Sequence, residues 1–290
     1  MSAPPSPVDR RVLTSAVAAA LAEDVGPGDI TTTACVPLDV TASGSFLAKG
    51  PGVVSGLYVC AEVFAQLDSS LAFEALLPEG AAFAAGTILA RVDGSARPIL
   101  TGERVALNFL QRLCGIAALT RTYVDALAGT SCRLLDTRKT TPGLHAFEKA
   151  AVRAGGGSNH RFALYDGFLI KDNHIAAAGG VAPAIAAARA VAAPTAAIEV
   201  EVQSFDQLDD ALAAAADVIM LDNFTPEQVS EAVRRIAGRA RTEASGGVSL
   251  DTLRSYAEAG VDFLSVGRLT RSAPTIDISL ELSSHDRAHP

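Results

Sequence analysis

The chain has 290 residues, 49% of them hydrophobic and 19% charged, and a formal net charge of −8. That is enough apolar material for one large core or two modest ones, and the acidic balance argues against a nucleic-acid partner, which needs a broad basic face. Cys35, Cys60, Cys114 and Cys132 are scattered without a C-x-x-C pair, which argues against zinc and disulfide frameworks and for a reducing, cytoplasmic setting. Residues Met1 to Pro7 lack a signal pattern, and no apolar run reaches membrane-spanning length.

Along the chain, Leu13, Val17, Ala20 and Leu21 give residues 10–24 an amphipathic helical stripe, which Gly26-Pro27-Gly28-Asp29 breaks. Between Gly44 and Arg91 short strands fit 45–49, 72–76 and 87–93, residues 52–56 read as a strand or as a turn into a helix at 58–67, and Pro78-Glu79-Gly80 as a turn. A long helix is predicted over 103–128. After it the grammar changes to strands at 133–136, 164–170, 198–202, 218–221, 241–244 and 263–266, alternating with helices at 144–154, 181–192, 205–215, 226–237 and 249–259. Such alternation builds a parallel sheet covered by helices. A complete eight-unit barrel needs about 250 residues, so the expectation is an α/β protein with an N-terminal α/β sandwich domain over 1–115 and an incomplete α/β barrel of fewer than eight strands over 116–271. The tail 272–290 is expected to pack back on the first domain, with the polar residues from Ser283 to Pro290 frayed.

Polar residues end nearly every barrel strand: Asp136 to Lys139, Lys171, Glu199 and Glu201, Asp222 and Asn223, Ser245, and Gly267. A barrel gathers such ends at one mouth, where catalytic residues sit. Arg138 offers a planar fork and Lys139 a point charge for an anion, unless they pair with Glu148 or Asp136. Thr140-Thr141-Pro142-Gly143 adds hydroxyls with little bulk, and Gly155-Gly156-Gly157 beside Asn159-His160-Arg161 allows close backbone approach to a ligand. Lys171 either forms a Schiff base or binds an anion. His174 reads as a structural hydrogen-bonder and His145 as a solvated residue. Glu199 and Glu201 alternate with valines, so both carboxylates face one side of their strand. Glu201 with Asp222 could hold Mg²⁺, which takes one or two carboxylates plus substrate phosphates. Small residues at Ser245-Gly246-Gly247 and Gly267 suit a phosphate cradle. An organic acid held by cations, a metal-chelated sugar phosphate and a phosphate cradle together point to phosphoribosyl transfer.

At these residues the chain resembles the quinolinate phosphoribosyltransferase family. The resemblance runs from Glu23-Asp24-Val25-Gly26 and Gly28 to Thr32, through Glu103 to Arg112, Asp136 to Gly143, Gly155 to Arg161, Ile170 to Ile175 and Glu199 to Val202, to Met220-Leu221-Asp222-Asn223 and Glu243 to Gly247. It implies transfer of phosphoribosyl from phosphoribosyl pyrophosphate to quinolinate with decarboxylation, in a homodimer with shared active sites and with Mg²⁺. Arg104 then matches a residue reaching in from the partner, and Thr137, Arg138, Lys139, His160, Arg161 and Lys171 a basic substrate pocket. Lys139, Lys171, Glu201 and Asp222 are implied catalytic residues, Glu201 and Asp222 standing near the ribose and Mg²⁺. Ser245, Gly246, Gly247 and Gly267 match the phosphate cradle. The family's Gly-Ala-Leu-Thr-His-Ser reads here Gly267-Arg268-Leu269-Thr270-Arg271-Ser272, so Arg271 replaces a histidine at an implied phosphate contact and Arg268 a small residue. Alternatives on the same residues are a relative acting on another acid, as in molybdenum operons, a Lys171 Schiff-base lyase, or a barrel that binds anions without turnover.

Overall fold

A computed structural model describes residues 6–284; Ser283 and Ser284, expected to be frayed, are instead paired in a strand with Ser43 and Ala42, and the rest of that expectation falls on residues outside the described ones. In chain order the elements are α1 (Arg10–Val25), α2 (Ile30–Cys35), β1 (Thr41–Ala48), β2 (Gly52–Val53), α3 (Leu57–Leu67), β3 (Ala72–Ala75), β4 (Ala82–Phe83), β5 (Ile88–Ser95) and α4 (Ala96–Ala126). They continue with β6 (Arg133–Leu135), α5 (His145–Ala154), β7 (Phe168–Ile170), α6 (Asp172–Ala178), α7 (Val181–Val191), β8 (Ile198–Val202), α8 (Phe205–Ala213) and β9 (Val218–Asp222). The last are α9 (Pro226–Ile236), β10 (Arg241–Ser245), α10 (Leu250–Glu258), β11 (Phe263–Ser265), α11 (Arg268–Arg271) and β12 (Ile278–Ser284). Among the described residues no single helix is long and apolar enough to cross a membrane.

The chain divides into two compact units. One comprises Met1–Arg121, Thr140–Gly156 and Thr270–Pro290, the other Thr122–Lys139 and Gly157–Leu269. The boundary expected at residue 115 falls inside α4, because that helix is continuous to Ala126. Segment 140–156, expected with the barrel, belongs to the first unit. The reason is a buried anchor: Glu148 accepts hydrogen bonds from Arg112 (2.9 Å) and from the Thr141 backbone (3.1 Å).

The first unit is built on an antiparallel sheet of order β12-β1-β5-β3. Phe46, Phe64 and Phe73 form its aromatic centre, with ring centroids 6.1 Å apart. The α3 helix starts at Gly56, whose φ of 110° favours glycine; Glu79 accepts from the Gly56 and Leu57 amides and caps it. The α4 helix begins seven residues earlier than predicted, because Pro98 sits in its first turn, where a missing N–H costs nothing. Gly115 in α4 lies so close to Pro274 that a Cβ would collide with the Pro274 carbonyl oxygen. Gln111 fastens the same segment, its side-chain amide donating to the Ile278 carbonyl at 2.7 Å. Gly115→Ala is therefore expected to cost about 1–3 kcal/mol by overpacking against backbone, read as a lower urea midpoint at unchanged m-value.

The second unit is a six-stranded parallel sheet of order β6-β11-β10-β9-β8-β7 with covering helices, the expected incomplete barrel. Its valine face is dry, Ile198, Val200 and Val202 being fully buried, so the Glu199 and Glu201 carboxylates take the other face. The register aligns Leu135 with Ser265, Ser265 with Ser245 and Ser245 with Asp222, so these C-terminal strand ends stand in one row. The β7 strand is shorter than predicted. The Asp166 carboxylate accepts from the amides of Phe162 (2.6 Å) and Ala163 (2.7 Å), which turns residues 162–166 out of the ladder and leaves Leu164 and Tyr165 exposed. Beyond the edge of β6, Leu135 forms a single parallel bridge to Ser158.

Candidate active site

The strand ends of the second unit enclose a cleft of about 250 Å³. Thr137, Arg138 and Lys139 follow β6, Lys171 follows β7, and Ser245 and Ser265 end β10 and β11; Leu169 and Met220 give it an apolar wall. His160 and Arg161 complete it from the loop before β7. The candidate cations thus do converge, and no carboxylate pairs with Arg138 among the described residues. The two acids that could have neutralised it are engaged elsewhere: Glu148 with Arg112 and Asp136 with the 159–160 loop.

Asp136 organises that loop. It is fully buried at the end of β6, and its carboxylate accepts from the Asn159 side-chain amide (2.6 Å) and the His160 backbone N–H (2.8 Å). The Arg161 guanidinium donates one N–H to the Gly167 carbonyl at 2.9 Å, while its Nε is buried without a partner. Desolvation, then the neighbouring Arg138 charge, lowers the Arg161 pKa. Two guanidinium groups that repel across a cleft are a site prepared for an anion. The glycine run serves packing as much as access: a side chain at Gly155 would collide with Ala117 and Thr120 of α4, and the Gly155 carbonyl accepts from Arg121 at 3.0 Å.

Of the carboxylates, Glu201 is buried and ion-paired with Lys171, which ends the neighbouring strand. Asp222 is half-buried, and one of its oxygens accepts from Asn223 (2.9 Å) and Gln203 (3.3 Å). Next to it Gly246, at φ +86°, presses on Asn223 so that no side chain fits, whereas Gly247, at φ +66°, faces open space. Gly267 lies against Lys139, whose amide donates to the Thr137 hydroxyl at 3.0 Å. His174 is the structural hydrogen-bonder expected: its Nδ1 accepts from the Lys171 backbone N–H at 2.9 Å and caps α6. His145, expected to be solvated, is instead half-buried and bonded to the Thr140 hydroxyl at 2.9 Å. Arg104, Arg268 and Arg271 are exposed; Arg104 and Arg271 belong to the first unit.

Deeper in the sheet lies a group that the residue pattern did not single out. His160, Glu199 and Glu243 bring ligand-type atoms within 4.8 Å of one another. The alternation along β8 marked Glu199, but nothing in the pattern of β10 marked Glu243 as its neighbour. Burial first, and then the Glu199 charge, pushes the Glu243 pKa up to about 8. Since the folded state holds this proton more tightly than the unfolded chain, its contribution to stability is full below the ordinary value of 4.5 and is lost as pH rises towards 8. Urea unfolding between pH 5 and 8 is expected to show that decline, and Glu243→Gln to flatten it.

Both halves of the sequence match domain models of one family: residues 29–114 the "Quinolinate phosphoribosyl transferase, N-terminal domain" and 116–281 the corresponding C-terminal domain. The chain is 46% identical over 269 residues to a nicotinate-nucleotide pyrophosphorylase [carboxylating] of Mycobacterium leprae, covering 91% of this chain and 94% of that one. It is 42% identical over 261 residues to a probable enzyme of the same name from Bacillus subtilis, covering 90% of each. Among solved structures it is similar to Streptococcus pyogenes NadC, with a TM-score of 0.92 and 43% identity over 97% of this chain and 100% of that one.

Proposed function

The chain belongs to the quinolinate phosphoribosyltransferase family, and from that premise we propose how its residues carry the family's reaction. The enzyme transfers phosphoribosyl from phosphoribosyl pyrophosphate to quinolinate, giving nicotinate mononucleotide, pyrophosphate and CO₂ in NAD biosynthesis. The observation that carries the site assignment is the pair Arg138 and Arg161, facing one cleft whose lining, among the described residues, includes no carboxylate.

Quinolinate is a planar pyridine carrying adjacent carboxylates. Arg138 and Arg161 receive these, with Lys139 adding charge, and Leu169 and Met220 offer the ring an apolar face. The pyridine nitrogen attacks the anomeric carbon of the ribose as the bond to pyrophosphate breaks. The transition state resembles an oxocarbenium ion, and Glu201 and Asp222 stabilise its positive charge. Once alkylated, the ring nitrogen is cationic. Its positive charge stabilises the electron pair left on C2, as an ylide, when that carboxylate departs as CO₂, and a proton then adds to that pair at C2. The backbone around Ser245, Gly246, Gly247 and Gly267 offers the small-residue cradle for the substrate's monophosphate. The donor set suits Mg²⁺, because Glu201 and Asp222 are hard oxygen ligands at one end of the sheet and one Asp222 oxygen is uncommitted. Bound there mainly through substrate phosphates, the ion would offset the charge of the departing pyrophosphate.

We further propose a cytoplasmic homodimer in which the partner's Arg104 completes each cleft; the exposed position of Arg104 and four free cysteines support this reading. Arg104→Ala is expected to be inactive alone and to regain up to about a quarter of wild-type activity when mixed with an Arg161→Ala chain, since only mixed dimers carry one intact site. Absence of complementation after verified subunit exchange would place both arginines in one subunit's site. The function itself is tested by incubating the protein with quinolinate labelled at its 2-carboxylate, phosphoribosyl pyrophosphate and Mg²⁺. Labelled CO₂ is expected only when all are present; none above blank would refute the reading.

A further inference from the structure

His160 lines the substrate cleft, yet both of its ring nitrogens are spent on the protein. Its Nδ1 accepts the Arg161 backbone N–H at 2.7 Å, so Nδ1 carries no proton. Its Nε2 stands 3.0 Å from Glu199 Oε2 and 3.6 Å from Glu243 Oε2, so the single ring proton lies there. With a proton on Nε2 and Nδ1 accepting from the backbone, the ring has no lone pair to give a metal held between the two glutamates.

We infer that Glu199 and Glu243 are positioning residues for the substrate arginine: from beneath the cleft they hold His160 as its Nε2–H tautomer, and through it the backbone of Arg161. The chain of contacts runs from β8 and β10 to His160 and on to the Arg161 amide. Asp136 of the β6 end fixes the same residue from the other side through the His160 backbone N–H. Arg161 is thereby held by three strands before substrate arrives, which is what a guanidinium standing beside Arg138 needs if it is not to swing away. The carboxylates are not there for packing alone. Each keeps one buried oxygen, Glu199 Oε1 and Glu243 Oε1, without a hydrogen-bond partner, a cost that a glutamine could relieve by donating an N–H or that an apolar side chain would avoid. Glu199 also bears on Arg161 electrostatically, favouring its charged form against the repulsion of Arg138.

This inference rests on the proposed role of Arg161 in binding quinolinate, and the test separates the two. Nitrogen-15 NMR of the free protein, with the His160 signals assigned by comparison with His160→Gln, reads the tautomer without any substrate. The expected spectrum has a pyridine-type Nδ1 and a pyrrole-type Nε2; a protonated Nδ1 would overturn the inference whatever the reaction proves to be. Glu199→Gln and Glu243→Gln are then compared by steady-state kinetics. Each is expected to raise the quinolinate KM roughly 10- to 100-fold, with kcat and the phosphoribosyl pyrophosphate KM changed far less. His160→Gln, which keeps one acceptor and one donor, is expected to retain more quinolinate affinity than His160→Ala. If the folded glutamine variants bind quinolinate as the wild type does, or lose kcat and both KM values together, positioning of Arg161 is refuted. If the wild type itself releases no CO₂, the functional reading fails while the tautomer result stands on its own.

Discussion

Replacing Arg161 with alanine is expected to raise the quinolinate KM roughly 10²- to 10⁴-fold, the equivalent of two charge-assisted hydrogen bonds of about 1.5–3 kcal/mol each. The effect should exceed that of most other pocket substitutions for a structural reason. Arg161 is half-buried, its Nε has no protein partner, and one of its N–H groups is already tied to the Gly167 carbonyl. The side chain therefore enters the cleft from a fixed direction and meets its ligand where little water competes. Arg161→Lys should recover little, because a lysine keeps the charge but loses the planar fork. The check is steady-state kinetics at saturating phosphoribosyl pyrophosphate, whose own KM should move much less. A quinolinate KM unmoved by Arg161→Ala would remove this residue from the acid pocket.

Lys171→Ala is expected to lower kcat/KM ~30-fold, about 2 kcal/mol, because it strands the buried Glu201 carboxylate, although the lysine itself is 42% exposed and part of the pairing is screened. The buried Glu201 carboxylate loses its cation, and the cleft loses a positive charge. Glu201→Gln should also be strongly impaired, and the double variant should be less impaired than the sum, with a coupling of about 0.5–3 kcal/mol. Strict additivity would mean that the pair does not act as a unit. The same pairing weighs against Lys171 as a Schiff-base nucleophile, since an ammonium held against a carboxylate has no lone pair to offer a carbonyl.

Much of this site was legible because strand ends in a parallel sheet carry their polar residues to one side. Arg138, Lys139, Lys171 and Ser245 could be placed by reading where each apolar run stops. The alternation of Glu199-Val200-Glu201-Val202 predicted two carboxylates on one face, and the pairings Glu199–His160 and Glu201–Lys171 bear it out. What the pattern could not show is which charge meets which. Glu148 was a possible partner for Arg138, but Arg112, thirty-six residues before it, holds it instead. Asp136 reads as one more strand-end polar residue, because the Asn159 and His160 groups it fastens lie far along the chain. His160 matched the family's basic pocket through the run Asn159-His160-Arg161, and only the structure shows its Nδ1 accepting from the Arg161 amide. Local chemistry also moved element boundaries. The Asp166 turn shortened β7, and the alternation Ile278-Leu280-Leu282 lets the tail, expected to pack back on the first domain, do so as a strand, β12, against β1. Arg268, which stands where a small residue was expected, is exposed.

The central claim is that the Arg138–Arg161 cleft reads two adjacent carboxylates on one ring. Calorimetric titration of the protein with quinolinate and with nicotinate, each with and without pyrophosphate present, tests it most directly. The account predicts one quinolinate per chain in at least one condition, at least about ten-fold tighter than nicotinate, which lacks the second carboxylate, with the preference lost in Arg161→Ala. Equal binding of the two acids, or a quinolinate preference that survives Arg161→Ala, would contradict it.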